Sequence, residues 1–429
     1  MSTRENFGGR AAVIMALAGS AIGLGNIWRF PYMVGQYGGA AFILIYILCS
    51  FLLSLPIFLA EGVIGRRSRA NAIGAMKILA PGSSGWQVLG WLSVLTPMII
   101  VSYYSIVGGW SIRYFLKSFS LDFGTFVPAG WTPLLFNTIF LGLSALIVAA
   151  GVKSGIEKFS KISIPLLFLL IVFITIYSVR MPGAKAGVEY LLKPDFSKIT
   201  PTTFAFALGQ SFYSLSLGMG IIITYSSYIR KDENLLITGV GTAAADLLFA
   251  ILAGFAIMPA VFAAGIEPGS GPGLIFETLP HIFTGIGASA PWLGVLVGAT
   301  FFLTVIVAAM TSSISLLEVG VAYLVEEHGM KRGWASLAAF FGTWLLGLVS
   351  VFSAQAFGRI DAFSSNFLLT AGALLAVLFV GWRMKKAEVR DELTNGGSKN
   401  GKVFPVLYVL IRYFAPLAVL TIFVSNLLL

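Results

Sequence analysis

Asp246 is a carboxylate in the middle of an apolar run, residues 235–259. An ionisable side chain in such surroundings is expensive and marks a functional site by default. Two readings stand for it: the partner of a small cation, or a structural acceptor for a neighbouring helix. Glu61 is also set in apolar sequence, but Arg66 follows five residues later. It therefore reads equally as support for a site or as an interfacial acid. Ala308, Thr311 and Ser312 are spaced i, i+3, i+4, which puts one carbonyl and two hydroxyls on one helix face. Hard oxygens of this kind suit a small hard cation. Serine and threonine also bond back to their own helix, so this trio needs a second source of oxygen beside it.

Unwound backbone would be that source. Residues 18–31 read AGSAIGLGNIWRFP and residues 213–220 read YSLSLGMG. A glycine inside a helix costs about 1 kcal/mol against alanine, so Gly19, Gly23 and Gly25 together disfavour a continuous helix. At mid-membrane, irregular backbone is tolerated only where it lines a cavity or is buried in protein. Broken half-helices offer N–H groups and a positive dipole end to a carboxylate, and free carbonyls to a cation. A zwitterionic amino acid accompanied by Na⁺ suits such a break. Close packing through small residues is the competing reading; it accounts for one glycine cluster better than for two in register.

These residues must be held by membrane-spanning helices. Of 429 residues, 57% are hydrophobic and only 11% charged, against roughly a quarter charged in soluble domains. That excludes a soluble enzyme, a disordered chain and a nucleic-acid-binding module. The single cysteine, Cys49, excludes an internal disulfide. A span needs about 20 apolar residues, and eleven stretches qualify: 11–36, 40–65, 87–117, 133–150, 160–180, 201–229, 235–264, 291–325, 334–352, 361–383 and 403–428. An open sheet cannot satisfy its backbone in hydrocarbon, so the chain is expected to be an all-α polytopic membrane protein.

The breaks fall in stretches 1 and 6, corresponding positions of two five-helix halves. This is the pointer to a 5+5 inverted repeat with a midplane site. We expect a first repeat over 1–181, a second over 182–400 and one extra C-terminal helix over 401–429, all in one membrane domain. Most lysines and arginines, among them Arg66, Arg67, Lys231 and Lys386, fall in loops on one side, so the positive-inside rule predicts a cytoplasmic N-terminus and an outside C-terminus. The net charge of +10 is then topological; the 383–386 cluster reads first as a solvated loop face, with anionic lipid as the alternative. No nucleic acid is expected. No Gly-Lys-Ser/Thr phosphate loop and no catalytic constellation is present, so no enzyme is expected.

On residues 19–31, 210–232 and 311–313 the chain resembles the neurotransmitter:sodium symporters, specifically their LeuT-like bacterial branch, which couples amino-acid uptake to Na⁺. The resemblance runs from Arg4 through the last span. It implies a first Na⁺ site of the Ala21 carbonyl, Asn26, Ser214, Asp246 and the substrate carboxylate. A second would use the carbonyls of Gly19, Ile22 and Ala308 with the hydroxyls of Thr311 and Ser312. Glu61 matches a buried acid behind the first site. Substrate contacts would come from Ala21, Gly23, Ile100, Tyr104, Tyr213, Ser214, Ser216, Met219 and Leu316, with Tyr104 donating to the carboxylate and Tyr213 as the lid. Arg29 with Asp361 matches an outer gate, and Arg4 with Glu326 an inner latch near Tyr228. Gly155 and Pro165 match a motif linked to release through the fifth span.

Several positions depart from the family pattern. Gly23 stands where amine-transporting relatives have an aspartate, which implies that the substrate keeps its own carboxylate. Met219 replaces an aromatic of some relatives and suits a pocket for bulky apolar side chains. Ser20 replaces an asparagine of some bacterial members. Asp246 is a fixed negative charge where animal members pair an uncharged residue with chloride, so chloride independence is expected. The resulting expectation is a Na⁺ symporter for hydrophobic or aromatic L-amino acids in the plasma (inner) membrane. A sensor that binds without transport, and a proton-coupled or exchanging transporter of the same fold, are the alternatives.

Overall fold

Lacking water to bond, the backbone of an apolar chain must satisfy itself within each segment, and helices do this throughout. The computed structural model describes residues 5–267 and 272–428, and among them there is no strand. Nine helices there are long and apolar enough to cross a bilayer. They are α3 (Ala40–Ser68), α4 (Ser84–Ser118), α5 (Trp131–Ala149), α6 (Val152–Val179), α9 (Leu235–Ala263), α10 (Pro291–His328), α11 (Arg332–Phe352), α12 (Ala354–Arg383) and α13 (Phe404–Ser425). The pair α1 (Arg10–Ala21) and α2 (Gly25–Gln36) meets at 59° and passes the same test together. Between α6 and α9 lie α7 (Pro201–Ser214) and α8 (Ile221–Ser226).

Nine such spans, or ten with the bent pair, stand against the eleven expected from hydropathy. The difference is the stretch 201–229, which is broken where its glycine run predicts, into helices of 14 and 6 residues that are each too short to count alone. Several boundaries also move. The helix expected from 160 starts at Val152, because its polar first turn winds as a π-helix over Val152–Glu157.

The two broken segments occupy the centre. α1 packs against α6, α9 and α10, while α7 and α8 pack against opposite halves of α3. The longest helices, α4 and α10, lie along one another beside them. Outward faces are apolar: Leu44, Leu48 and Leu52 form an exposed stripe at i, i+4, i+8 on α3. Such a stripe would be a liability in water and is the expected surface in lipid.

Candidate functional site

The break between α1 and α2 begins at Ile22, whose extended backbone (φ −70°, ψ 106°) stops the helix. Asn26 then organises the gap. Its Oδ1 accepts the Gly23 N–H at 3.1 Å, and its own N–H donates to the Gly23 carbonyl at 3.2 Å. Gly23 has little room for a side chain, since a Cβ there would lie 3.0 Å from Ser312 Oγ and 3.2 Å from the Tyr104 hydroxyl.

The second break, between α7 and α8, depends on glycine more strictly. Gly218 (φ 77°) and Gly220 (φ 68°) are left-handed, and a Cβ on them would fall 2.0 Å from the Leu369 carbonyl and 2.2 Å from the Ser93 carbonyl. Ser216 also takes positive φ, 55°. Glu61 is buried behind this turn, and its Oε1 accepts the Gly218 N–H at 2.7 Å. Its Oε2 is buried with no hydrogen-bond partner. Of the two sequence readings for Glu61, its burial and its bond to Gly218 match the supporting one, at the break between α7 and α8.

Asp246 on α9 joins the two breaks. Both of its oxygens accept the Ser214 hydroxyl at 2.8 Å, Oδ1 accepts Asn26 Nδ2 at 2.8 Å, and Oδ2 accepts the Tyr46 hydroxyl at 3.4 Å. Asn26, Ser214 and Asp246 thus come together from three helices distant in sequence. Their donor set, with the nearby Ala21 carbonyl in the same cavity wall, fits Na⁺. Asn26 faces Asp246 with its amide nitrogen and the Gly23 N–H with its oxygen.

On α10, Ser312 Oγ donates to the carbonyls of Ser20 at 3.3 Å and Ile22 at 3.4 Å. Thr311 Oγ1 donates to the Ala308 carbonyl at 2.9 Å, the back-bonding expected of threonine in a helix. Gly19 lies against Thr311, with its virtual Cβ 3.2 Å from Thr311 Cβ. Gly19, Ile22, Ala308, Thr311 and Ser312 are therefore neighbours, and the second source of oxygen that the α10 trio required is the unwound end of α1. Among the described residues no group of three His, Cys, Asp or Glu could hold a metal, so the available chemistry is that of hydroxyls, carbonyls and single acids.

Between the breaks lies a small cavity of about 30 Å³. Every expected substrate contact lines it: Ala21, Gly23, Ile100, Tyr104, Tyr213, Ser214, Ser216, Met219 and Leu316. The polar end is at Gly23 and Tyr104, whose hydroxyl accepts the Leu24 N–H at 3.5 Å. Ile100, Met219, Ile221 and Leu316 make the remainder apolar.

Tyr213 and Tyr104 also line a wider outer chamber of about 420 Å³, shared with Arg29 and Asp361. Tyr213 thus stands between the two spaces. Arg29 sits 5.7 Å from the Tyr213 ring centroid, and among the described residues no ion pair within 4.0 Å joins it to Asp361. The expected outer-gate pair is brought to one chamber without closing.

The opposite end is sealed. Phe7 is buried between Tyr225 and Tyr228, and its N–H donates to the Tyr228 carbonyl at 3.2 Å. Glu5 accepts the Val152 N–H at 2.7 Å, and Glu157 accepts the Gly8 N–H at 2.8 Å. Tyr228 also donates to buried Glu318 at 2.7 Å, and Glu318 is paired with Arg332. Arg4 lies outside the described residues, so the Arg4–Glu326 latch is not described; Glu326 accepts the Asn71 N–H at 2.7 Å. Gly155 stands in the π-helical turn, where a Cβ would be 2.0 Å from the Ile147 carbonyl, and Pro165 lies within the helix that follows.

Sequence reasoning missed Tyr46, the Gln210 amide that donates to the Gly25 carbonyl at 3.4 Å, and the Glu5 and Glu157 contacts. A tyrosine in an apolar helix carries no mark that separates a site ligand from ordinary core. The Gln210 amide falls within the 210–232 block and was the one legible signal.

Unwound helix ends around a small, largely apolar cavity in a bundle of apolar helices are the architecture of a membrane transporter. Residues 4–125 and 132–429 match the sodium:neurotransmitter symporter family, and the chain belongs to it. It is 37% identical to an uncharacterised sodium-dependent transporter of Haemophilus influenzae, covering 99% of this chain and 98% of that one. It is 36% identical to the sodium-dependent transporter YhdH of Bacillus subtilis, covering 96% and 95%. Among solved structures it is similar to MhsT in complex with L-phenylalanine, at 37% identity and TM-score 0.87, covering 99% of this chain and 100% of that chain. The family consists of transporters, not enzymes.

Proposed function

We propose that this protein is a Na⁺-coupled symporter of hydrophobic and aromatic L-amino acids that works by alternating access without chloride. The observation that carries the reading is the link from Asp246 through Asn26 to the Gly23 N–H at the cavity wall. A cation held at Asp246, Asn26, Ser214 and the Ala21 carbonyl would border the place where a substrate carboxylate meets Gly23 and Tyr104. Each ligand then improves the other's site, and the coupling is reciprocal. A second Na⁺ at Gly19, Ile22, Ala308, Thr311 and Ser312 would tie α1 to α10. The phenylalanine bound by MhsT, with the apolar lining here, supports a bulky apolar substrate. The fixed charge of Asp246 supplies the negative group that chloride would otherwise provide.

In this reading Tyr213 closes over the substrate, and Arg29 and Asp361 then meet above it. Release follows when the Glu5, Phe7 and Glu157 contacts part and the turn at Gly155 unwinds ahead of Pro165. We further propose the plasma (inner) membrane as its location, the N-terminus in the cytoplasm, and the 1–181 and 182–400 repeats as the moving halves. A thermal-shift panel of amino acids tests the substrate class. Leucine, phenylalanine, tyrosine or tryptophan should raise the melting temperature in NaCl and in sodium gluconate alike, and not in choline chloride. A shift that needs chloride would remove the role given to Asp246. Equal shifts in choline would favour the proton-coupled or exchange alternative.

A further inference from the structure

Arg412 is a cation within α13 that the transport site does not use. It sits in a π-helical turn, Leu410–Phe414, packed on a second such turn, Phe379–Arg383, at the end of α12. Gly381 allows this contact, since a Cβ there would lie 2.9 Å from Arg412 Cα. Arg412 is therefore level with a residue only about 3 Å along the axis from the end of α12, the depth of the membrane interface rather than its centre.

Three aromatic rings surround the guanidinium. Its carbon is 4.5 Å from the Trp382 ring centroid, 5.5 Å from that of Tyr413 and 6.0 Å from that of Tyr408. The Trp382 indole N–H donates to the Arg412 carbonyl at 2.9 Å, which fixes the ring in place. One guanidinium nitrogen, Nη1, donates to the Tyr408 hydroxyl at 3.4 Å, while Nε is buried without a partner. Trp382 (56% exposed) and Tyr413 (47%) open this group to the lipid side, where Phe414 and Leu417 are exposed beside them. Tryptophan and tyrosine favour that interfacial depth.

The neighbouring charges are all positive. Lys386 Nζ lies 5.3 Å from the Tyr408 ring, and Arg383 and Lys385 are exposed next to it. Acids do occur on Lys386–Thr394, but their side chains are engaged by other bases. Glu388 and Asp391 pair with Arg67, and Glu392 with Arg66 and Lys231. Among the described residues no carboxylate forms an ion pair within 4.0 Å with the side chain of Arg412, Arg383, Lys385 or Lys386, although Glu388 accepts the Lys385 backbone N–H at 3.3 Å. Each of these acids is thus engaged by a base on another element, while Arg383, Lys385 and Lys386 keep exposed side chains.

We propose that Arg412, Lys386 and Arg383, framed by Trp382, Tyr408 and Tyr413, bind the phosphate headgroup of one anionic phospholipid at the end of the molecule that carries the basic loops. A guanidinium offers forked donors to phosphate oxygens, and Lys386 and Arg383 add charge at the surface. The rings exclude water from one side and meet the glycerol and upper acyl chain. The site rests on the membrane reading and is independent of which solute the central cavity carries.

Native mass spectrometry of the detergent-purified full chain tests this. Phosphatidylglycerol, phosphatidylcholine of the same acyl chains, and inorganic phosphate are titrated separately. The wild type should retain one phosphatidylglycerol about tenfold more tightly than phosphatidylcholine, whose phosphate is the same but whose choline cation is repelled by the three basic side chains. Arg412→Gln should remove the preference. If that variant fails to fold, the exposed pair Arg383→Gln and Lys386→Gln should remove it instead, while Lys153→Gln on another loop keeps it. Equal retention of the two lipids by the wild type would overturn the site. So would unchanged preference in the variants, or a phosphate adduct as tight as the lipid's.

Discussion

At the scale of residues, one carboxylate sets the chemistry. Asp246 accepts from Ser214, Asn26 and Tyr46, so Asp246→Asn keeps the shape and removes the charge. A charge-assisted contact is worth about 1.5–3 kcal/mol, so the Na⁺ concentration for half-maximal amino-acid binding should rise about ten- to a hundredfold. Unchanged Na⁺ dependence in a scintillation binding assay would withdraw the assignment. Asp246 was legible because an acid in an apolar run costs too much to stand there without a partner or a task. Its partner Tyr46 was not, since aromatic residues fill apolar helices everywhere. Glu61 stood open between two roles until the Gly218 N–H, 157 residues away, showed what it holds.

At the scale of elements, the breaks depend on backbone contacts that only glycine permits. Gly218→Ala forces a left-handed alanine and a Cβ 2.0 Å from a carbonyl; such strain costs about 1–3 kcal/mol before the clash is counted. Melting should fall by several degrees, and a variant as stable as the wild type would show that the turn relaxes freely. Gly155→Ala acts on the sealed end. Its Cβ would press on the Ile147 carbonyl and push the π-helical turn away from α5, so amide hydrogen exchange over residues 5–9 and 152–157 should accelerate. Unaltered exchange would separate Gly155 from the seal. The glycine runs disclosed both breaks in the sequence. The seal was hidden, because Glu5 and Glu157 bond to backbone N–H groups, and any exposed acid can do that once the fold brings them together.

For the whole molecule, hydropathy disclosed the membrane but read α7 and α8 as one stretch, since an apolar average cannot sense a break that halves a helix. The gate, too, depends on a property beyond sequence: whether Arg29 and Asp361 touch is set by the separation of α2 and α12. Basic loops do converge on one end, where Arg66 pairs with Glu392 at 2.8 Å and Lys399 reaches the Asp232 carbonyl at 3.1 Å. With buried Cys49 replaced by serine, intact cells treated with a membrane-impermeant maleimide should label Ser197→Cys and not Lys399→Cys. The reverse pattern would invert the orientation.

The most direct test of the central claim is uptake of a radiolabelled aromatic amino acid into proteoliposomes holding the purified protein, under an inward Na⁺ gradient. Accumulation above equilibrium that disappears when choline replaces Na⁺, and persists when gluconate replaces chloride, is the predicted result. Uptake indifferent to Na⁺, or saturable binding with no accumulation, would contradict it.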